Sequence, residues 1–106
     1  MSRKLPDFIG FDWDDGNRSK NKAKHNVTES EAEELFFNIP LVLLDDLKHS
    51  SKESRFAAFG RTDQGRALMI IFTMRGQLLR VISARDMNQK EEVFYEQNEK
   101  KEASKI

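Results

Sequence analysis

The chain has 106 residues, enough for one domain with a single modest core. Its 18 basic and 18 acidic residues cancel, so the overall charge gives no argument for a nucleic-acid partner, although local charge can differ from the total. The absence of cysteine excludes disulfides, a thiolate metal site and a cysteine nucleophile.

The distribution of charge also argues against a membrane protein. The N-terminal stretch "MSRKLPDFIGFDWDD" is interrupted by charges and lacks the apolar core of a signal peptide. The longest apolar run, "ALMIIF", is far too short to span a bilayer. We therefore expect a cytoplasmic protein without a membrane partner.

A short strand and two helices are predicted for the first third of the chain. Residues 7–13, "DFIGFDW", form a first strand or edge segment that "DDGN" ends. Residues 17–26 predict a polar surface helix with Asn26 as its C-cap. A second helix begins in "TESEAEELFFN", where Thr28 followed by Glu31 matches a capping box.

Four strands joined by turns come next, and they predict a meander of short hairpins. They are "PLVLLDD", "RFAAFGR", "RALMIIFTM" and "LLRVISAR". Apolar residues on both parities of "IIF" indicate a central strand that is covered on both faces. Asn88 with Glu91 caps a final helix over about residues 88–100, whose end is almost wholly polar.

These elements indicate an α+β fold. We expect a compact antiparallel sheet of about four strands, packed by two to three helices that lie on one side of it. Residues 1–96 are expected to form a single domain, with residues 97–106 as a polar helix end or frayed tail.

Generic enzyme motifs are absent from the sequence, which has no phosphate loop, nucleophile elbow, HExxH or CxxC. The two histidines, His25 and His49, lie far apart in the chain. Either one can join a metal site with Asp45 or Asp46, but nothing in the spacing favours it. We therefore expect no metal and no cofactor.

Six arginines lie in or beside the predicted strands, and the planar guanidinium matches phosphate oxygens and anionic transition states. Ordinary ion pairs at a solvated sheet edge are the better explanation for most of them. Arg80 and Arg85 differ, because both lie in or at the end of an otherwise apolar strand. For Arg80, a buried pair with a glutamate and a substrate contact are equally consistent with the sequence. The six are Arg55, Arg61, Arg66, Arg75, Arg80 and Arg85.

Strict alternation along this strand predicts that its two arginines lie on opposite faces of the sheet. Arg80 is in phase with Ile82 and Ala84, whereas Arg85 is in phase with Ser83. The sequence therefore predicts one cation on each face.

Three other residues have two interpretations each. His25 suits general acid–base chemistry, but as a cation at a helix C-terminus it would simply complement the dipole, and taken alone the second is favoured. Trp13 and Tyr95 can stack on bases, although core packing is the commoner role of aromatic residues in a small domain. Tyr95 can also orient a proton transfer.

Short motifs follow one another through residues 11–96, and their order and spacing are more specific than any one of them. They are "FDWD" at 11–14, Asn21 with "KHNV" at 24–27, "EAEELF" at 31–36, "HSSKESR" at 49–55, "FGR" at 59–61, and "RVISAR" with "KEEVFYE" at 80–96. The series resembles the BrnT family of bacterial toxins. It departs from the family pattern at Asn17, Asn26 and Glu29, where lysine, glycine and an apolar residue are usual.

The resemblance implies a RelE-like fold and a ribonuclease that acts as the toxin of a type II toxin–antitoxin pair. It further implies metal-independent cleavage of RNA that inhibits translation, and neutralisation by a BrnA-type antitoxin. Operator DNA would be bound only through that antitoxin.

The resemblance also implies site residues. The catalytic candidates are Arg80, Arg85, His25, Lys24, Glu92 and Tyr95. The candidates for binding the RNA substrate are Arg61, Ser83, Trp13 and Asn21. We favour Arg85 for the open, RNA-binding side of the sheet, while Arg80 ties the sheet to the helices through Glu91, Glu92 or Glu33.

Two other functions remain open. One is a non-catalytic protein-binding module that acts in a repressor complex with its partner, for which sheet edges and the polar first helix are natural docking places. The other, which is least favoured, is a metal-dependent hydrolase built on His25, His49 and Asp45.

Overall fold

The computed structural model describes residues 4–14, 25–46 and 53–104, with side chains as far as residue 101. Within these ranges the chain forms five strands and two helices, and the four predicted strands of the meander are confirmed. The strands are β1 (Gly10–Phe11), β2 (Val42–Asp45), β3 (Arg55–Arg61), β4 (Ala67–Arg75) and β5 (Leu78–Asp86), and the helices are α1 (Glu29–Leu35) and α2 (Gln89–Ser104). Most of the helix predicted over residues 17–26 lies outside the described residues.

All five strands belong to one sheet with the order β1-β5-β4-β3-β2. Strands β2 to β5 are antiparallel neighbours, as expected for hairpins with short connections. The N-terminal edge segment is a fifth strand that runs parallel to β5, with Gly10 opposite Leu78 and Phe11 opposite Leu79. The α+β sheet is thus confirmed, with one strand more than about four.

The larger core lies on what we call the first face of the sheet, which holds the even-numbered residues of β4. Phe72 is fully buried there, and its ring centroid lies 5.2 Å from that of Phe36 and 5.4 Å from that of Phe56. Helix α1 packs closely on this face through Leu35, because a Cβ at Gly60 would lie only 3.0 Å from Leu35 Cγ. The absence of a side chain at Gly60 therefore sets how near α1 comes to the sheet.

The opposite, second face holds the odd-numbered residues of β4 and a smaller core under α2. Tyr95 of α2 is buried against Val42, Phe59 and Met69, together with Met87 just before the helix. The two described helices therefore lie on opposite faces, and the expectation that they share one side is wrong. The physical reason is that β4 has apolar side chains at both its even and its odd positions, so both faces of the sheet must be covered by other elements.

A β-bulge changes the phase of β5 at Ile82. Ile71 is opposite Ser83, but the next residue, Phe72, is opposite Val81, so Ile82 is an extra residue on β5. Arg80 is paired with Thr73 and Arg85 with Met69. Both arginines thus lie on the second face, and the prediction of opposite faces is wrong because period-2 counting takes no account of the bulge.

The two capping boxes predicted at the starts of α1 and α2 are confirmed. Thr28 Oγ1 accepts a hydrogen bond from the Glu31 backbone N–H at 3.1 Å, and the Glu31 carboxylate accepts one from the Thr28 N–H at 3.1 Å. Asn88 and Glu91 form the same reciprocal pair at 2.9 and 2.8 Å. Asn26 has φ 53, a left-handed conformation that asparagine tolerates better than most residues.

We expect Phe72→Ala to lower the free energy of unfolding by about 3 to 5 kcal/mol, because it leaves a cavity between two aromatic neighbours. Urea denaturation followed by circular dichroism measures the change. Val93→Ala is the matched control, since Val93 is 53% exposed on α2 and should shift stability by less than about 0.5 kcal/mol. Equal losses in the two variants would contradict the assigned core.

Candidate functional site

Part of the second face is left uncovered by the described helices. Helix α2 packs over the end of the face that carries Phe59 and Met69, whereas the two rows beyond it are half-buried, apart from Thr73, which is 2% exposed. We call these two rows the open half-face. In order across β3, β4 and β5, the rows are Ala57, Ile71, Ser83 and then Arg55, Thr73, Arg80.

Arg80 lies at the far end of the open half-face, and the segment after β1 holds it. Its Nη1 donates to Asp12 Oδ2 at 3.2 Å and its Nη2 donates to Asp14. The Arg80 side chain retains 18% of its exposure. The partners are thus two aspartates of the "FDWD" motif, not a glutamate of a helix.

Arg85 lies beyond the other end of the open half-face, opposite Met69, and is bound to α2. Its Nη1 and Nη2 donate to the two carboxylate oxygens of Glu91 at 2.8 and 3.0 Å, and Nη1 also donates to the Asp86 carbonyl at 3.0 Å. The arginine that ties the sheet to a helix is therefore Arg85, not Arg80. Four paired positions separate the two arginines, about 13 Å along the strand, with half-buried Ser83 midway between them.

His25 lies at the same end of β5 as Arg85. Its carbonyl accepts a hydrogen bond from Arg66 at 3.0 Å. The pKa of Asp86 is lowered, first by the hydrogen bond from Arg66 and to a smaller extent by the charge of His25. The histidine is therefore grouped with Arg66 and Asp86, at a distance from Arg80.

Tyr95 and Arg61 form part of the packing between α2 and the sheet. Tyr95 is 1% exposed, its hydroxyl donates to the Pro40 carbonyl, and burial raises its pKa to about 12. Arg61 Nε and Nη2 donate to Glu99 at 2.7 and 3.0 Å, and the guanidinium lies 5.5 Å from the Tyr95 ring centroid. In this arrangement the Tyr95 hydroxyl is committed to the core and does not reach the open half-face.

The remaining candidates are scattered. Trp13 packs against the first-face core and its Nε1 donates to Glu33 at 2.8 Å, so base stacking by this ring stays a prediction. Glu92 is exposed on α2. Lys24 and Asn21 lie outside the described residues, as does His49. Among the residues that the structure describes, no three acidic or histidine side chains are grouped to hold a metal ion.

Two features of the site were not predicted from the sequence. The aspartates that hold Arg80 were visible in "FDWD", but they are 66 and 68 positions away from it, and no local pattern links them. Nothing in the sequence distinguishes Arg66 from the arginines assigned to ordinary ion pairs at a sheet edge, yet it is the most extensively hydrogen-bonded arginine among the described residues.

Comparison with known proteins identifies the family. Residues 13–91 match the family model described as "Ribonuclease toxin, BrnT, of type II toxin-antitoxin system". The chain belongs to the BrnT family. The matched span begins at Trp13 and ends at Glu91. It therefore includes the open half-face, with Arg80, and also Arg85.

The BrnT fold is also found among solved structures. The crystal structure of the Brucella abortus ribonuclease toxin, BrnT, matches with a TM-score of 0.57 and 26% sequence identity, over 76% of this chain and 99% of that one. No curated protein matches. Membership of this type II toxin–antitoxin family implies an antitoxin partner for the chain. In the part of the chain that the structure describes, no helix is long and apolar enough to cross a membrane.

The ion pair between Arg85 and Glu91 predicts a pH dependence of stability. The hydrogen bonds from Arg85 lower the pKa of Glu91 below its usual 4.5. Because the pKa is lower in the folded state, the pair stabilises the fold above about pH 4.5, and this stabilisation is lost as the pH falls through the folded-state value.

We therefore expect Glu91→Gln to lower the free energy of unfolding by about 0.5 to 1 kcal/mol near neutral pH and by much less at about pH 3. Urea titrations at both pH values measure the two differences. Glutamine preserves the cap at Asn88, so the variant isolates the charge. A difference that does not depend on pH would exclude the ion pair as its cause.

Proposed function

We propose that this chain is a metal-independent endoribonuclease that binds RNA along β5, inhibits translation by cleaving it, and is neutralised by a BrnA-type antitoxin. The observation that supports this most strongly is the bulge at Ile82, which puts Arg80, Ser83 and Arg85 on one face. Two guanidinium groups and a hydroxyl, aligned over about 13 Å, suit successive phosphates of an extended RNA strand.

The donor capacity of Arg80 supports its assignment to a phosphate of the bound RNA. A guanidinium has five N–H donors, and Arg80 uses one on Nη1 and one on Nη2 for its contacts with described residues. Arg55 lies in the same row as Arg80 with Thr73 between them, so a second cation faces the same part of the sheet. A phosphate bound there would meet positive charge from two strands.

The proposed chemistry is a transesterification within the RNA. The 2′-OH loses its proton and attacks the adjacent phosphorus, the bond to the 5′ oxygen breaks, and that oxygen takes up a proton, leaving a 2′,3′-cyclic phosphate. Arg85, at the same end of β5 as His25, would stabilise the additional charge of the pentacoordinate centre, and Arg80 would hold another phosphate of the same RNA strand. His25 and Lys24 are the groups proposed for proton transfer, with Glu92 assisting. We assign no role in these steps to the buried Tyr95.

The pairing of arginines with carboxylates favours one competing function, that of a non-catalytic binding module. Arg80, Arg85 and Arg61 each have a carboxylate partner, and the chain has no net charge, which weakens attraction to RNA. A non-catalytic module that binds only its protein partner would show the same pairing. Activity of the purified chain separates the two functions.

We expect the purified, partner-free protein to cleave RNA equally well with and without EDTA. Arg80→Ala should lower the rate at least about 100-fold, because it removes a preorganised cation that positions the RNA strand for cleavage. Gel analysis of a 5′-labelled RNA measures the rate and detects the cyclic phosphate ends. Arg80 is a better test than Arg85, whose removal would also loosen α2.

Lys100→Ala is the matched control, since it removes the same charge from an exposed position on α2 and should leave the rate unchanged. Cleavage that EDTA abolishes would exclude the metal-independent mechanism. If neither free RNA nor ribosome-bound RNA were cleaved, the binding module would replace the ribonuclease.

The proposed partner can be tested separately. We expect a BrnA-type antitoxin to form a complex with the chain that stops cleavage, and operator DNA to be bound by the complex but not by the chain alone. Size-exclusion chromatography and electrophoretic mobility shifts measure both. Binding of operator DNA by the isolated chain would contradict the proposal.

A further inference from the structure

Arg66 joins four segments of the chain at the end of β5. It follows the β3–β4 turn, and its Nε and Nη2 donate to the two Asp86 carboxylate oxygens at 2.7 and 3.1 Å. Its Nη1 donates to Glu31 Oε2 at 3.1 Å, in the cap of α1. The backbone carbonyls of Asn26 and His25 accept from Nη1 and Nη2 at 2.8 and 3.0 Å.

These contacts occupy all five N–H donors of the guanidinium. Arg66 therefore has no donor left for a phosphate, in contrast to Arg80, and its side chain is only 26% exposed. A charged residue in this state acts on a reaction only through the groups that it holds. Two of those groups are the backbone carbonyl of His25 and the Asp86 carboxylate, whose pKa the charge of His25 helps to lower.

The same contacts define where His25 lies relative to Arg85. The Asp86 carboxylate binds Arg66, while the Asp86 carbonyl accepts from Arg85. Asn26, next to His25, is in the left-handed conformation, and the hydrogen bond from Arg66 to its carbonyl holds that turn against the sheet. One side chain thus connects the backbone of His25 to the residue that follows Arg85.

We infer that Arg66 is a positioning residue, which orients His25 for proton transfer at the end of β5. This inference rests on the proposed ribonuclease function and on the role of His25 in it. Lysine cannot replace Arg66 here, because an ammonium has three donors and no planar fork to span two carboxylates and two carbonyls.

The test compares wild type, Arg66→Lys and the control Lys100→Ala in two measurements. The first is the NMR titration of the His25 ring protons from about pH 5 to 8, in a His49→Asn background that leaves one histidine. The charged groups that contact this site are Arg66, Asp86 and Glu31, and the lysine variant keeps the charge of each. The second measurement separates kcat from KM for RNA cleavage.

We expect Arg66→Lys to shift the His25 titration, to lower kcat about 10- to 100-fold and to leave KM nearly unchanged, with Lys100→Ala like wild type in both measurements. An unchanged titration or an unchanged kcat would overturn the inference. Failure of the wild-type protein to cleave RNA would instead overturn the proposed function, since the titration does not depend on activity.

A second variant covers the case in which Arg66→Lys does not fold. Glu31→Gln keeps the cap of α1 but weakens one partner of Arg66. We expect Glu31→Gln to change the His25 titration and kcat in the same direction as Arg66→Lys, but by less. Folded Glu31→Gln protein that is identical to wild type in both measurements would overturn the inference.

Discussion

The extra residue in β5 determines where the charged side chains of this protein point. Leu79 and Val81 belong to the first-face core, and in a regular strand Ser83 and Arg85 would follow them into it. Burying an unpaired guanidinium among apolar side chains would cost several kcal/mol. The bulge at Ile82 prevents this, because it turns Ala84 into the core and moves Arg85 to the second face. The alignment of Arg80, Ser83 and Arg85 is thus a consequence of core packing.

The local features of the fold could be read from the sequence. Thr28 with Glu31 and Asn88 with Glu91 are caps whose partners lie three residues apart, and the strands of the meander are marked by alternation and by turn residues. Features that depend on distant pairing could not be read in this way. The bulge leaves no signature in "RVISAR", and only the assembled sheet shows which face α2 covers.

The candidate site was predictable to the same limited degree. Arg80 and Arg85 stood out as cations in an apolar strand, but their partners and relative orientation were misassigned. Arg85 meets Glu91 six positions away, within range of a local argument, whereas Asp12 and Asp14 reach Arg80 from the other end of the chain. Arg66 was not singled out because three of its five hydrogen bonds go to residues at least 35 positions away, and the other two go to the carboxylate of Asp86, on the far side of a hairpin.

Arg80 and Arg85 differ in how readily a phosphate can replace their carboxylate partners. The aspartates of Arg80 are 30% and 42% exposed, and ion pairs in contact with water are worth about 1 kcal/mol or less. Glu91 is only 19% exposed, binds Arg85 through both oxygens and also caps α2, so displacing it would disturb the start of the helix. On the proposed function, an RNA phosphate therefore exchanges with carboxylates at Arg80, while Arg85 contributes its charge from a fixed position.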